Sequence, residues 1–127
     1  MGEWEGSTWS QVTEAYPELV SSLFTEPSTF VYPGGESFAG FRVRVRGALH
    51  SLLERHTDGE IAVVTHGGVT RLMIGEVLQL RPSNWLRLSQ DFGCLNIIDV
   101  VDGEPAVNMM NYVPFQAASD IEKSSIR

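Results

Sequence analysis

The chain has a single cysteine, Cys94, so no internal disulfide can staple it. One free thiol suits a reducing compartment, and the expected location is the cytoplasm. No apolar run approaches the ~18 residues of a membrane-crossing helix. Met1-Gly2-Glu3-Trp4-Glu5 carries neither the basic start nor the apolar stretch of a signal peptide, and Gly6 stands where a myristoylation signal needs serine or threonine. Basic residues are outnumbered, nine lysines and arginines against sixteen aspartates and glutamates, for a formal net charge of −7. That field argues against nucleic-acid or anionic-membrane partners, although a local basic spot can still hold a small anion.

Several chemistries lack their residues. His50, His56 and His66 have no metal-ligand spacing, and the first two are six apart on one predicted helix. No metal and no cofactor are therefore expected. No serine sits in a Gly-x-Ser-x-Gly elbow, and Cys94 has no catalytic signature around it. There are no repeats, no low-complexity tract and no internal boundary. What is there is ordinary: 127 residues, 43% hydrophobic and 20% charged, which fits one globular domain with a real core.

Helical spacing recurs at Trp9, Val12, Ala15 and Tyr16, with Ser7 or Thr8 as cap. Pro17 breaks and restarts that helix, and Leu19, Val20, Leu23 and Phe24 form a second stripe. A Pro-, Ser- and Gly-rich loop from Thr25 to Gly35 follows. Glu36 to His56 reads as the longest helix, with Phe38, Phe41, Val45, Ala48, Leu49 and Leu52 on one face. Arg42, Arg44 and Arg46 make a basic cluster, either a solvated face or an anion contact. A helix from about Val69 to Leu80 ends at the breaker Arg81-Pro82-Ser83-Asn84, with a short turn possible from Trp85 to Leu88. Leu95 to Val101 and Ala106 to Tyr112 read as strands joined by an Asp102-Gly103 hairpin turn. The polar tail from about residue 116 is expected to fray.

The richest stretch is Ile61-Ala62-Val63-Val64-Thr65-His66-Gly67-Gly68-Val69-Thr70-Arg71. Four apolar residues suit a strand covered on both faces. Two glycines allow a tight turn and close approach of a ligand to the backbone. The helix that follows directs its free N–H groups and positive dipole end at that turn, which favours phosphate. His66 there can act as acid, base, nucleophile or anion contact, or it can be a structural histidine in a strand-to-helix loop.

Three segments together carry a resemblance: Gly2-Glu3-Trp4-Glu5-Gly6; Pro33-Gly34-Gly35-Glu36-Ser37 with Arg44-Val45; and Val64-Thr65-His66-Gly67-Gly68-Val69 with Arg71. Their order and spacing resemble the histidine phosphatase, or phosphoglycerate mutase-like, superfamily. Gln90-Asp91-Phe92-Gly93-Cys94-Leu95-Asn96-Ile97-Ile98 is similar to its α-ribazole phosphatase-like branch.

The resemblance implies the C-terminal part of a three-layer α/β/α fold with about three strands. It implies metal-free hydrolysis of a phosphomonoester through a phosphohistidine. It casts His66 as the second active-site histidine, with Gly67 and Gly68 at the phosphate and Glu36, Arg44 and Arg71 as supports. Phosphate or a small phosphorylated molecule is the implied ligand.

One departure matters as much. The family's nucleophilic histidine lies in an Arg-His-Gly segment at the end of a first strand, and no Arg-His-Gly occurs among these 127 residues. A further phosphate-binding arginine and the acid residue precede the Gly-x-Trp-Glu-Gly segment in the family, and the sequence starts at that segment. The expectation is a single partial domain over residues 1–127, inactive or nearly so alone, from an internal start or a truncated or split gene. The alternative is a non-catalytic anion-binding or assembly module. With its sheet neighbour missing, the strand Ile61–Thr65 is expected to form a bare edge that draws the chain into a homo-oligomer.

Overall fold

Thr8 sets the first helix. Its hydroxyl accepts from the Gln11 N–H at 3.3 Å, while the Gln11 carboxamide oxygen accepts from the Thr8 N–H at 2.8 Å. This reciprocal cap satisfies two otherwise orphaned donors. Helix α1 (Trp9–Ala15) stops at Tyr16, and Pro17 starts α2 (Pro17–Thr25), where its missing N–H costs nothing. The computed structural model describes residues 1–114, so the expected frayed tail lies outside the described residues.

These two helices close over the first of two cores. Trp4, Val12, Val20, Leu23 and Phe30 are buried together, with Tyr16 and Tyr32 against them. Trp4 is delivered by a 3-10 turn at Gly2–Trp4, which Glu3 ties down by donating its N–H to the Pro33 carbonyl at 2.8 Å. Gly2 has φ +62°, and a Cβ there would collide with that same carbonyl, so only glycine fits. Trp9 and Phe24, both expected on apolar stripes, stay about half exposed and meet edge to face.

The long helix α3 (Phe38–Arg55) begins two residues later than Glu36, because Ser37 is the cap and accepts from the Gly40 N–H at 3.0 Å. Its first half packs Phe38, Phe41 and Val45 onto Leu72 and Trp85, with Val69, Met73 and Leu80 around them. The second half of the expected stripe is poorly covered: Ala48 is exposed, and Leu49 and Leu52 are half-buried.

Helix α4 (Gly67–Val77) starts at the first glycine, so Gly67 and Gly68 form its opening turn rather than a separate loop before Val69. It ends three residues short of Leu80. The Arg81–Asn84 breaker is itself mostly helix. Pro82 takes the first position of α5 (Pro82–Trp85) and so delivers Trp85 to the second core. The Trp85 indole donates to the Leu80 carbonyl at 3.0 Å and lies flat on Gly75, where a Cβ would overlap the ring. Replacing Gly75 with alanine gains about 1 kcal/mol of helix propensity. It also forces the ring aside at about 1–3 kcal/mol or more and loosens an indole bond worth about 1 kcal/mol. The expected net loss is about 2 kcal/mol by urea denaturation, and a Gly75→Ala chain as stable as the parent would overturn the packing argument.

The hairpin forms as expected, with its second strand starting two residues early. Strand β1 (Leu95–Val101) pairs antiparallel with β2 (Glu104–Tyr112). Asp102 and Gly103, at φ +53° and +82°, make the two-residue turn whose twist matches paired strands. The register slips between Leu95 and Ile98, and Asn111 takes a φ of +56°.

The largest correction concerns Ile61–Thr65. It is not a buried third strand. Among the described residues it pairs with no other strand, so the sheet has two strands, not three. Ile61, Val63 and Val64 are 42%, 45% and 99% exposed. An apolar run becomes a buried strand only where neighbours supply hydrogen-bond partners and cover, and the hairpin does neither.

Candidate active site

His66 occupies the cap position of α4 with extended backbone, φ −93° and ψ 151°, and its side chain makes no capping bond. It is exposed. The first helical bond runs from the Thr70 N–H to the His66 carbonyl at 3.1 Å. The N–H groups of Gly67, Gly68 and Val69 precede that bond and face out of the helix start, next to the imidazole. The dipole end adds partial positive charge at the same place.

Arg71 lies one turn along. Its Nε donates to the Leu88 carbonyl at 2.7 Å. A Cβ on Gly67 would sit 3.1 Å from Arg71 Nη1 and 3.7 Å from Gln90 Cβ, so the opening turn rests against that guanidinium. His66, Gly67, Gly68 and Arg71 thus form one group. Gln90 links this group to the hairpin. Its amide exchanges two bonds with Asn96, at 2.8 and 3.0 Å, and Cys94 Sγ donates to the Gln90 oxygen at 3.3 Å. Asn96 Oδ1 also accepts from the Asn111 N–H at 2.8 Å, and Asn111 bonds Asp91 through both its carboxamide groups. Sequence reasoning missed this amide lattice. Its only sequence signal is a cluster of Gln, Asp and Asn at the strand ends.

Glu36 and Arg44 stand apart from that group, with no bond to it among the described residues. They hold each other in a two-pronged ion pair, Nε to Oε1 at 3.0 Å and Nη2 to Oε2 at 2.7 Å. Glu36 lies before the helix, so the pair ties the preceding loop to α3. The hydrogen bond from Arg44 holds the Glu36 carboxyl below its usual range. The pair therefore supports the fold while Glu36 is ionised and is lost as pH falls through that lowered value. Its contribution is small at such exposure. Arg42 and Arg46 both reach Glu76 on α4, at 2.6 and 3.4 Å. The whole Arg42–Arg44–Arg46 cluster is thus matched by carboxylates, which removes the anion-contact reading for it. Glu76 was not foreseen. Two arginines four apart on one helix face are its only hint. Among the described residues, no three His, Cys, Asp or Glu side chains converge as a metal site, and no helix is long and apolar enough to cross a membrane.

The profile of the histidine phosphatase superfamily (branch 1) matches residues 1–113. Phosphoserine phosphatase 1 of Hydrogenobacter thermophilus is 34% identical over 95 residues, covering 75% of this chain and 43% of that protein. The adenosylcobalamin/α-ribazole phosphatase of Salmonella typhimurium is 26% identical over 111 residues, covering 87% of this chain and 54% of that protein. Among solved structures, Bacillus stearothermophilus YhfR superposes with a TM-score of 0.79 at 24% identity, covering 89% of this chain and 56% of that one. The α-ribazole phosphatase of Shigella flexneri gives 0.72 at 22%, covering 91% and 58%. The likeness to these solved structures establishes a shared α/β fold, and the chain spans about half the length of the relatives it matches. With nearly all of its described residues inside the family profile, the chain belongs to the histidine phosphatase superfamily, branch 1.

Proposed function

We propose that His66, Gly67 and Gly68 are the phosphoryl-contacting part of a histidine phosphatase site, with Arg71, Glu36 and Arg44 as structural supports. The observation that carries this reading is the exposed imidazole beside three uncommitted N–H groups at the start of α4. Such a pair can hold the oxygens of a phosphomonoester and stabilise charge that builds on them during transfer. The relatives point to small phosphorylated molecules as the substrate class, since those proteins are named for phosphoserine and for α-ribazole phosphate chemistry. In the complete reaction a second histidine would accept the phosphoryl group and water would release it. The present residues would bind, orient and neutralise.

The competing reading, a non-catalytic anion-binding or assembly module, uses the same residues without the nucleophile. Reading the coding sequence upstream of Met1 separates the two. An in-frame Arg-His-Gly favours an enzyme, and a stop codon favours the module.

Both readings require an anion beside His66. Titration of the chain with inorganic phosphate is expected to move the amide resonances of His66, Gly67, Gly68 and Val69, with an affinity of about millimolar that weakens as salt rises. His66→Ala should weaken it further. Shifts confined to other residues would sink the proposal.

A further inference from the structure

We propose that Arg71 contacts the bound oxyanion directly, as the charged member of the group it forms with His66, Gly67 and Gly68. This rests on the anion reading of that group and takes Arg71 beyond structural support. Gly67 and Arg71 are four apart on α4 and share a face, and helical side chains lean toward the N-terminus. The sequence therefore carries the guanidinium back to the opening turn, and the missing side chain of Gly67 makes room for it. Nη1 stands 3.1 Å from the point a Gly67 Cβ would occupy. Covalent geometry then puts it at most about 5.5 Å from the Gly67 nitrogen. Donors that close can bond separate oxygens of one tetrahedral anion.

The guanidinium is held there before any ligand arrives. Its Nε donates to the Leu88 carbonyl at 2.7 Å, which fixes the plane of the fork. Neither terminal nitrogen has a hydrogen-bond partner among the described residues. The arginines of α3 are placed differently. Arg42, Arg44 and Arg46 each face a carboxylate, at 2.6, 2.7 and 3.4 Å, so their charge is offset where it stands. Beside Gly67 and Arg71 lie the Leu88 carbonyl and Gln90, whose carboxamide is taken up by Asn96 and Cys94. None of these carries charge. Backbone N–H groups and the helix dipole supply only partial charge. A guanidinium adds a whole one, which favours a dianion such as a phosphomonoester over a monoanion.

Two substitutions separate charge from support. Arg71→Gln places a neutral Nε2 donor where arginine has Nε, and Arg71→Lys keeps both a donor and the charge. Affinity for inorganic phosphate is read from the Gly67 and Gly68 amide resonances. Arg71→Lys is expected to bind within about threefold of the parent, and Arg71→Gln about tenfold more weakly. The glutamine variant should also show a shallower dependence on salt, because one charge fewer is screened. In the parent, phosphate should move the Arg71 Nε–H resonance together with those of Gly67 and Gly68. Equal affinities for the two variants overturn the proposal. So does an Arg71 resonance that stays in place while Gly67 and Gly68 move. Either result leaves the anion reading of His66 standing, whereas a parent with no shift from His66 to Val69 overturns both. If the glutamine variant does not fold, the Arg71 resonance of the parent decides.

Discussion

Purified 127-residue chain incubated with p-nitrophenyl phosphate is expected to release product only at a slow background rate, orders of magnitude below an enzyme's turnover. The reason lies in what covalent catalysis supplies. A nucleophile splits one difficult displacement into two easier ones, and its loss costs orders of magnitude. The family resemblance puts that nucleophile in an Arg-His-Gly segment, and none occurs in this sequence. His66 is poorly placed to substitute. It is exposed and has no side-chain hydrogen bond that would orient it or accept its second proton. Oxyanion-type contacts without a nucleophile are worth about 10²–10³ in rate for a single donor, which leaves a slow background far below an enzyme's turnover. Steady release that disappears in His66→Ala would show that one histidine suffices and would overturn the division of roles proposed for this site.

The second large effect is expected at Trp4. The ring is 2% exposed, and the rings of Trp9, Tyr16, Phe30 and Tyr32 surround it with centroids 5.3–6.3 Å away. Truncation to alanine removes the centre of a core that has only five buried members. Deletions of this kind cost about 3–5 kcal/mol, a large share of the 5–15 kcal/mol typical of a domain. One feature softens a smaller change. The Trp4 indole N–H is buried and has no acceptor among the described residues, and an orphaned donor costs about 1–3 kcal/mol. Trp4→Phe removes that donor along with part of the ring and is expected to cost less than half of what alanine does. Urea denaturation followed by near-ultraviolet circular dichroism checks both. Equal losses for the two variants would mean the orphaned donor carries no penalty.

Local signals in the sequence were reliable, and non-local ones were not. The Asp102-Gly103 hairpin needs only two residues able to take positive φ between alternating strands, and both do. The break at Tyr16–Pro17 follows from proline's missing donor. His66 at a helix start could be read directly, because the glycines, the apolar run before them and the helix after them are contiguous. By contrast, the bridge from Arg42 to Glu76 joins residues 34 apart, and the Gln90–Asn96–Asn111 lattice depends on how the hairpin returns. The run Ile61–Val64 illustrates the limit best. Its composition states correctly that it favours burial. Whether burial happens depends on strands that this segment does not encode.

The two cores also differ in how far along the chain their members lie. The cluster around Trp4 draws on residues 4 to 32, while the Val45, Leu72 and Trp85 cluster needs a chain segment more than twice as distant from the N-terminus. Loops that close early and locally lose little entropy, and local contacts form fast. During synthesis the first cluster can therefore assemble as soon as its short stretch leaves the ribosome, before Trp85 has been translated. The order of assembly is then from the N-terminus forward. The apolar run at 61–64 emerges between the two events, behind one finished core and ahead of the helix that anchors it. Because Ile61, Val63 and Val64 stay exposed once both cores have formed, the aggregation risk of that run outlasts synthesis.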